Sequence, residues 1–152
     1  MAGHEAARRA MIDSQLRTSG VNAEWVLRRM AEVPREQFVP ESARGHAYID
    51  RAIPLGDGRH LAAPVVQGMM LQEAKPTAED KALVVDGAIE QLPEALAGRL
   101  VEEGRVVTGL LSEGITRLAI GRKVAGEIGL LPLAEIGIPV LPEFAAPKRW
   151  SF

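Results

Sequence analysis

The chain has 152 residues, of which 47% are hydrophobic and 25% charged, with a net charge of −2 at pH 7. That is the make-up of one ordinary globular domain. It excludes wholesale disorder and gives no electrostatic reason to expect nucleic acid or an anionic membrane as a partner. There is no cysteine, so disulfide scaffolds, iron–sulfur clusters and cysteine nucleophiles are excluded outright.

The opening Met-Ala-Gly-His-Glu lacks a basic segment followed by an apolar one, and no apolar run nears the roughly 20 residues of a membrane span. A soluble, cytoplasmic chain is expected. His4 and His46 show no metal-ligand spacing with any acid and read as surface residues, so no metal is expected. Ala6, Ala10 and Leu16 mark a short, partly amphipathic helical segment. Asn22 reads as the N-cap of a second helix that places Trp25, Val26, Met30 and Val33 on one face. Pro34 ends it, and a helical turn is expected over 35–38. Residues 52–55 and 59–62 flank Gly56-Asp57-Gly58, which predicts a hairpin. Pro64 then suits the first turn of a helix carrying Val65, Met69 and Met70 into a core.

The period changes in the second half. The unbroken apolar run Ala82-Leu83-Val84-Val85 predicts a buried strand over 81–85. Pro93 opens a helix with Leu96 and Leu100 on one face, closed by Gly104 at C′. Strands are expected over 105–111, 115–123 and 127–136. Strand, helix and strand across 81–111 make a βαβ unit. The later strands are expected to be antiparallel, because the links at Ser112-Glu113-Gly114 and Gly126 are too short for a crossover. The chain is divided as one domain: a helical and hairpin region over 1–80, a reduced α/β core over 81–138, and a Pro-containing tail over 139–152.

Two blocks of sequence carry a resemblance. The first is Met11-Ile12-Asp13-Ser14-Gln15-Leu16-Arg17, then the string from Val33-Pro34-Arg35 to Phe38-Val39-Pro40, then Ala47-Tyr48-Ile49-Asp50-Arg51 with Pro54. The second runs from Asp86-Gly87-Ala88 through Pro93-Glu94-Ala95-Leu96 to Gly104-Arg105-Val106-Val107. Together they resemble the protein-L-isoaspartate O-methyltransferase family, in particular its divergent bacterial branch. The resemblance implies methyl transfer from S-adenosylmethionine to an isoaspartyl carboxylate, a protein-repair reaction. It also implies a Rossmann-like sheet whose first strand ends in an acidic-x-G-x-G-x-G loop holding the cofactor.

The chain departs from that pattern where the chemistry sits. The segment 81–85 resembles the family's first core strand, or equally its later strand leading into the Pro93 helix; either way one copy is present. The central block with the glycine loop is missing, and the only G-x-G is Gly56-Asp57-Gly58, in the hairpin. On the acceptor side, the positions of the family's Thr and Ser before Pro64 are held by His60 and Ala62. Ala62 has no hydroxyl with which to hold a carboxylate. His60 reads as a solvated hairpin residue rather than a general base. Asp86 and Gly87 are the cofactor-binding candidates that remain, and they read first as a turn.

The expected fold is therefore α/β or α+β, the remnant of a methyltransferase sheet: N-terminal helices, a hairpin and a short mixed sheet. The expected function is a methyltransferase-like pseudoenzyme that binds a protein or peptide partner and takes no cofactor. The alternative is an active S-adenosylmethionine-dependent repair enzyme. Losing neighbouring strands leaves unpaired sheet edges, so homo-oligomerisation through an edge is expected. Arg8-Arg9, Arg28-Arg29, Glu79-Asp80-Lys81 and Glu102-Glu103 read as solvated charge. Trp150 and Phe152 read as aromatics that dock on their own domain or anchor a partner.

Overall fold

The computed structural model describes residues 2–76 and 82–147. The chain forms two compact units, Met1–Lys75 and Pro76–Phe152.

In the first unit, α1 (Ala2–Met11) runs into a π-helical turn over Ile12–Leu16 and a 3₁₀ turn over Arg17–Ser19, which Gly20 ends in the left-handed region at φ 91°. Then come α2 (Glu24–Glu32), 3₁₀ turns at Arg35–Phe38 and Glu41–His46, strands β1 (Ile53–Gly56) and β2 (Arg59–Leu61), and α3 (Pro64–Ala74). The core gathers Met11, Leu16, Val21, Val26, Tyr48 and Ile53 among its buried residues. Burial of such apolar side chains is the main driving force for the unit. Trp25 and Met30 pack against this core as expected, whereas Val33 is exposed. Asn22 does not cap α2. Ala23 occupies the N-cap position with no side-chain cap. Instead Gln72 of α3 reaches across, its Oε1 accepting from Asn22 N at 2.8 Å and Ala23 N at 3.0 Å. A distant amide thus serves the two donors just ahead of the helix, not the first-turn donors that a local cap would serve.

In the second unit, β3 (Ala82–Ile89), β4 (Arg105–Ser112), β5 (Ile115–Val124) and β6 (Glu127–Glu135) form one four-stranded sheet in that order. β3 and β4 are parallel and the other pairs antiparallel. Mixed α/β architecture is thus observed as expected. The βαβ crossover is short: α4 spans only Glu94–Ala97, so the Pro93 helix stops well before Gly104. Lys123 Nζ donates to the carbonyls of Ala97 and Leu100 at 3.1 and 3.0 Å, which ties the crossover to the face shared by Val106, Ala119 and Lys123. The three hairpins among the described residues use one device. Asp57-Gly58, Glu113-Gly114 and Ala125-Gly126 each pair two consecutive positive φ angles, the geometry whose twist matches that of the flanking strands.

β3 is longer than the apolar run suggested. It continues past Val85 through a bulge: Val85 pairs with Thr108 and Ala88 with Gly109, leaving Asp86 and Gly87 as extra residues. The segment after β6 is also structured. Thr116 Oγ1 donates to Ile136 O at 2.8 Å and accepts from Ile138 N at 3.2 Å. Ile138 is buried. Ala88 N then donates to Pro139 O at 2.7 Å, and Leu141 N to Ala88 O at 2.8 Å. The tail thereby lies along the outer side of β3. No helix among the described residues is long and apolar enough to cross a membrane.

Candidate functional site

The acceptor-side candidates belong to the first unit. His60 lies on β2 opposite Pro54, fully on the exposed hairpin, with Nδ1 3.1 Å from the Gly58 carbonyl two residues back. That local contact orients the ring towards its own turn. Ala62 is buried, with 1% of its surface exposed. Its methyl group offers a ligand nothing, and its carbonyl oxygen accepts from the Arg35 guanidinium.

Arg35 lies in the Val33–Pro40 string, where the sequence alone shows no role for it. It is buried, and it donates through Nε to Ala47 O at 2.7 Å, through one terminal nitrogen to Gln67 Oε1 and through the other to Ala62 O. The planar fork of a guanidinium suits such a set of fixed carbonyls, which a lysine could not match. Asp50 acts beside it: its Oδ1 accepts from Val65 N at 3.1 Å, at the buried first turn of α3. The charged residues of the two quoted strings therefore fix the stretch from Ala62 to Val65. The available signal was a charged residue inside an otherwise apolar string, too short-ranged to reveal its partners.

A second polar cluster surrounds Tyr48, which is buried. Its hydroxyl donates to Glu36 and accepts from Arg8 Nε at 2.9 Å. Arg8 also donates to Ala31 O at 2.9 Å, approaches Glu36 at 3.5 Å, and lies 5.6 Å from the Tyr48 ring centroid. His4 tilts against the same ring at 6.4 Å. Neither Arg8 nor His4 is the solvated residue the sequence suggested, because Tyr48, 40 residues from Arg8, lies against both. Burial pushes the Glu36 carboxyl up, but the Tyr48 hydrogen bond, a backbone hydrogen bond and the Arg8 charge outweigh it and hold it below its usual range. Burial and the bond to Glu36 push the Tyr48 hydroxyl up.

The cofactor-side candidates belong to the second unit. Asp86 is exposed and Gly87 buried, and both sit in the β3 bulge, not in a turn. Thr108 Oγ1 donates to Gly87 O at 3.3 Å. The open side of Gly87 faces the Leu141 side chain so closely that a Cβ there would overlap it. A loop that cradles a cofactor needs glycine backbone open to the ligand. Here the space beside the glycine is filled by the protein itself, so these residues do not fit S-adenosylmethionine as a family loop would. Gly56-Asp57-Gly58 is an exposed turn. Among the described residues no three His, Cys, Asp or Glu side chains are gathered as a metal site. Trp150, Phe152 and Glu79-Asp80-Lys81 lie outside the described residues.

Comparison with known proteins defines first a class. The fold matches solved methyltransferase structures at low sequence identity. One is a protein-L-isoaspartate O-methyltransferase from Plasmodium falciparum solved with S-adenosyl-L-homocysteine, with TM-score 0.70 and 14% identity, covering 92% of this chain and 98% of that one. Another protein-L-isoaspartate O-methyltransferase gives TM-score 0.63 and 12% identity over 88% of this chain and 65% of its own. Residues 6–107 match the model of the protein-L-isoaspartate (D-aspartate) O-methyltransferase family, and the chain belongs to that family. Among curated relatives, the protein-L-isoaspartate O-methyltransferase of Aeropyrum pernix is 45% identical over 102 residues, 66% of this chain and 38% of its own. That of Roseiflexus castenholzii is 37% identical over 94 residues, 62% of this chain and 42% of its own. The chain thus spans well under half the length of these relatives.

Proposed function

We propose that this chain is a non-catalytic binding derivative of the protein-L-isoaspartate O-methyltransferase framework, whose partner is a protein or peptide segment. The observation that carries the reading is the packing of Leu141 on Gly87: the glycine beside Asp86, in the bulge of β3, is occupied by the chain's own tail. The acceptor side supports it, since Ala62 is buried and its carbonyl is already bonded to Arg35. What the framework retains, the Arg35 and Asp50 clamp, maintains backbone shape without supplying a reacting group.

The test is a calorimetric titration with S-adenosylmethionine and S-adenosyl-L-homocysteine, followed by a methyl-transfer assay on an isoaspartyl peptide and a binding assay with the same peptide. The expected result is no cofactor heat and no methylation above background. Peptide binding without methylation would place the retained function on the acceptor side. Micromolar cofactor binding or measurable methyl transfer overturns the proposal in favour of an active repair methyltransferase.

A further inference from the structure

The two edges of the four-stranded sheet are protected unequally. β6 carries Pro132 within the strand and Leu133 as an extra residue where Leu118 pairs with Ala134 but Ala119 with Pro132. A proline and a bulge are both devices that stop a sheet edge from adding another strand. β3 has neither in its first half. Residues 82–85 are all apolar, Val84 is 40% exposed, and no strand among the described residues pairs with their outer side. The second half of the same edge is covered from within. Ala88 exchanges backbone hydrogen bonds with Pro139 and Leu141, and Glu90 and Gln91 donate to Phe144 O at 3.2 and 3.3 Å. Glu90 Oε2 also accepts from Ala146 N at 2.7 Å.

We propose that residues 136–146 are an intrachain edge guard, and that the surface they guard is the one through which two copies of this chain would pair strand to strand. The tail shows that this edge accepts an extended segment, because Val140 already forms a parallel bridge with Ala88. Length decides why a guard suffices. At roughly 3.3 Å per residue, the open stretch 82–85 is about 13 Å long, whereas the whole of β3 would present about 26 Å. A pairing over the short stretch falls far below the roughly 800 Å² per partner of a stable interface. Displacing the tail uncovers the second half of β3 beyond its bulge at Asp86 and Gly87 and leaves the Ala88 donor and acceptor in need of a new partner. An isologous antiparallel pair meets that need with no like charges opposed between residues 82 and 85.

Sedimentation velocity over a concentration series, with amide hydrogen exchange on the same samples, tests it. Wild type is expected to stay monomeric through the micromolar range. Leu141→Asp, which places a carboxylate against Gly87, should speed exchange at position 141 and at Ala88 and tighten self-association by about tenfold or more, through the additional edge hydrogen bonds. Adding Val84→Lys should reverse the association, by setting like charges beside each other. Thr116→Val releases the tail from its other anchor and carries the same expectation should Leu141→Asp fail to fold. A released tail with no gain in association overturns the proposal. So does association that Val84→Lys leaves unchanged, or a wild type already paired tightly through β3.

Discussion

Tyr48 donates its hydroxyl hydrogen to Glu36, and the two residues together hold α1 to the first unit through Arg8. Met11 anchors the C-terminal end of the helix in the core, but of residues 3–10 none is buried, and only His4 and Arg8 are even half-buried. The pair therefore sets a pH dependence. Glu36 is held below its usual range in the folded chain, so its contribution is present above the unfolded carboxylate pKa and is lost as pH falls through the lowered folded value. Denaturant titrations at descending pH should show this loss on the acid side, and Glu36→Gln should flatten it. Tyr48→Phe should lower stability by about 1 kcal/mol at neutral pH. An unchanged acid limb in Glu36→Gln would remove Glu36 from the account.

Arg35 is expected to be the most costly single truncation in the first unit. Replacement by Met leaves the carbonyls of Ala47 and Ala62 and the Gln67 oxygen without the donor that now serves them. With roughly 1–3 kcal/mol for each buried group left unpaired, Arg35→Met should destabilise by about 3 kcal/mol or more. Arg35→Lys should recover only part of this, because an ammonium cannot reach three fixed acceptors in one plane. Equilibrium unfolding followed by Trp25 fluorescence measures both.

At the bulge, Gly87→Ala should push Leu141 away and destabilise the second unit by about 1–3 kcal/mol, the usual range for overpacking. Leu141→Ala in the same chain should recover part of that loss. A double-mutant cycle on thermal or denaturant unfolding reads the coupling directly. Purely additive effects would mean that the contact does not constrain the tail.

Ala125 holds a left-handed φ of 52° in the turn between β5 and β6, where the other two hairpins have Asp57 and Glu113. Alanine has no local polar group to offset that conformation, whereas asparagine tolerates it. Ala125→Asn is expected to stabilise the second unit by about 0.5–1 kcal/mol, with no change in the far-ultraviolet circular dichroism. The opposite sign would show that the turn is not under conformational strain at this residue.

Much was legible in the sequence where the signals are local. Pro64 opening α3, Pro34 ending α2, and the Asp57-Gly58, Glu113-Gly114 and Ala125-Gly126 turns all follow from the backbone preferences of single residues or pairs. The family membership followed likewise, because its strings are contiguous. The apolar run at 82–85 announced β3 but not its extent, since neither the bulge at Asp86 and Gly87 nor the pairing of Ala88 with the tail leaves a periodic trace.

What only the tertiary structure decided is who partners whom at long range. Gln72 bonded to Ala23, Arg35 bonded to Ala62, Tyr48 joined to Arg8, and Leu141 packed on Gly87 link residues 49, 27, 40 and 54 positions apart. Backbone dihedral preferences act within a few residues and are written in the local sequence. Burial of a charge or closure over a glycine depends on which segments meet in space, and the order of residues along the chain fixes that only through the folded whole.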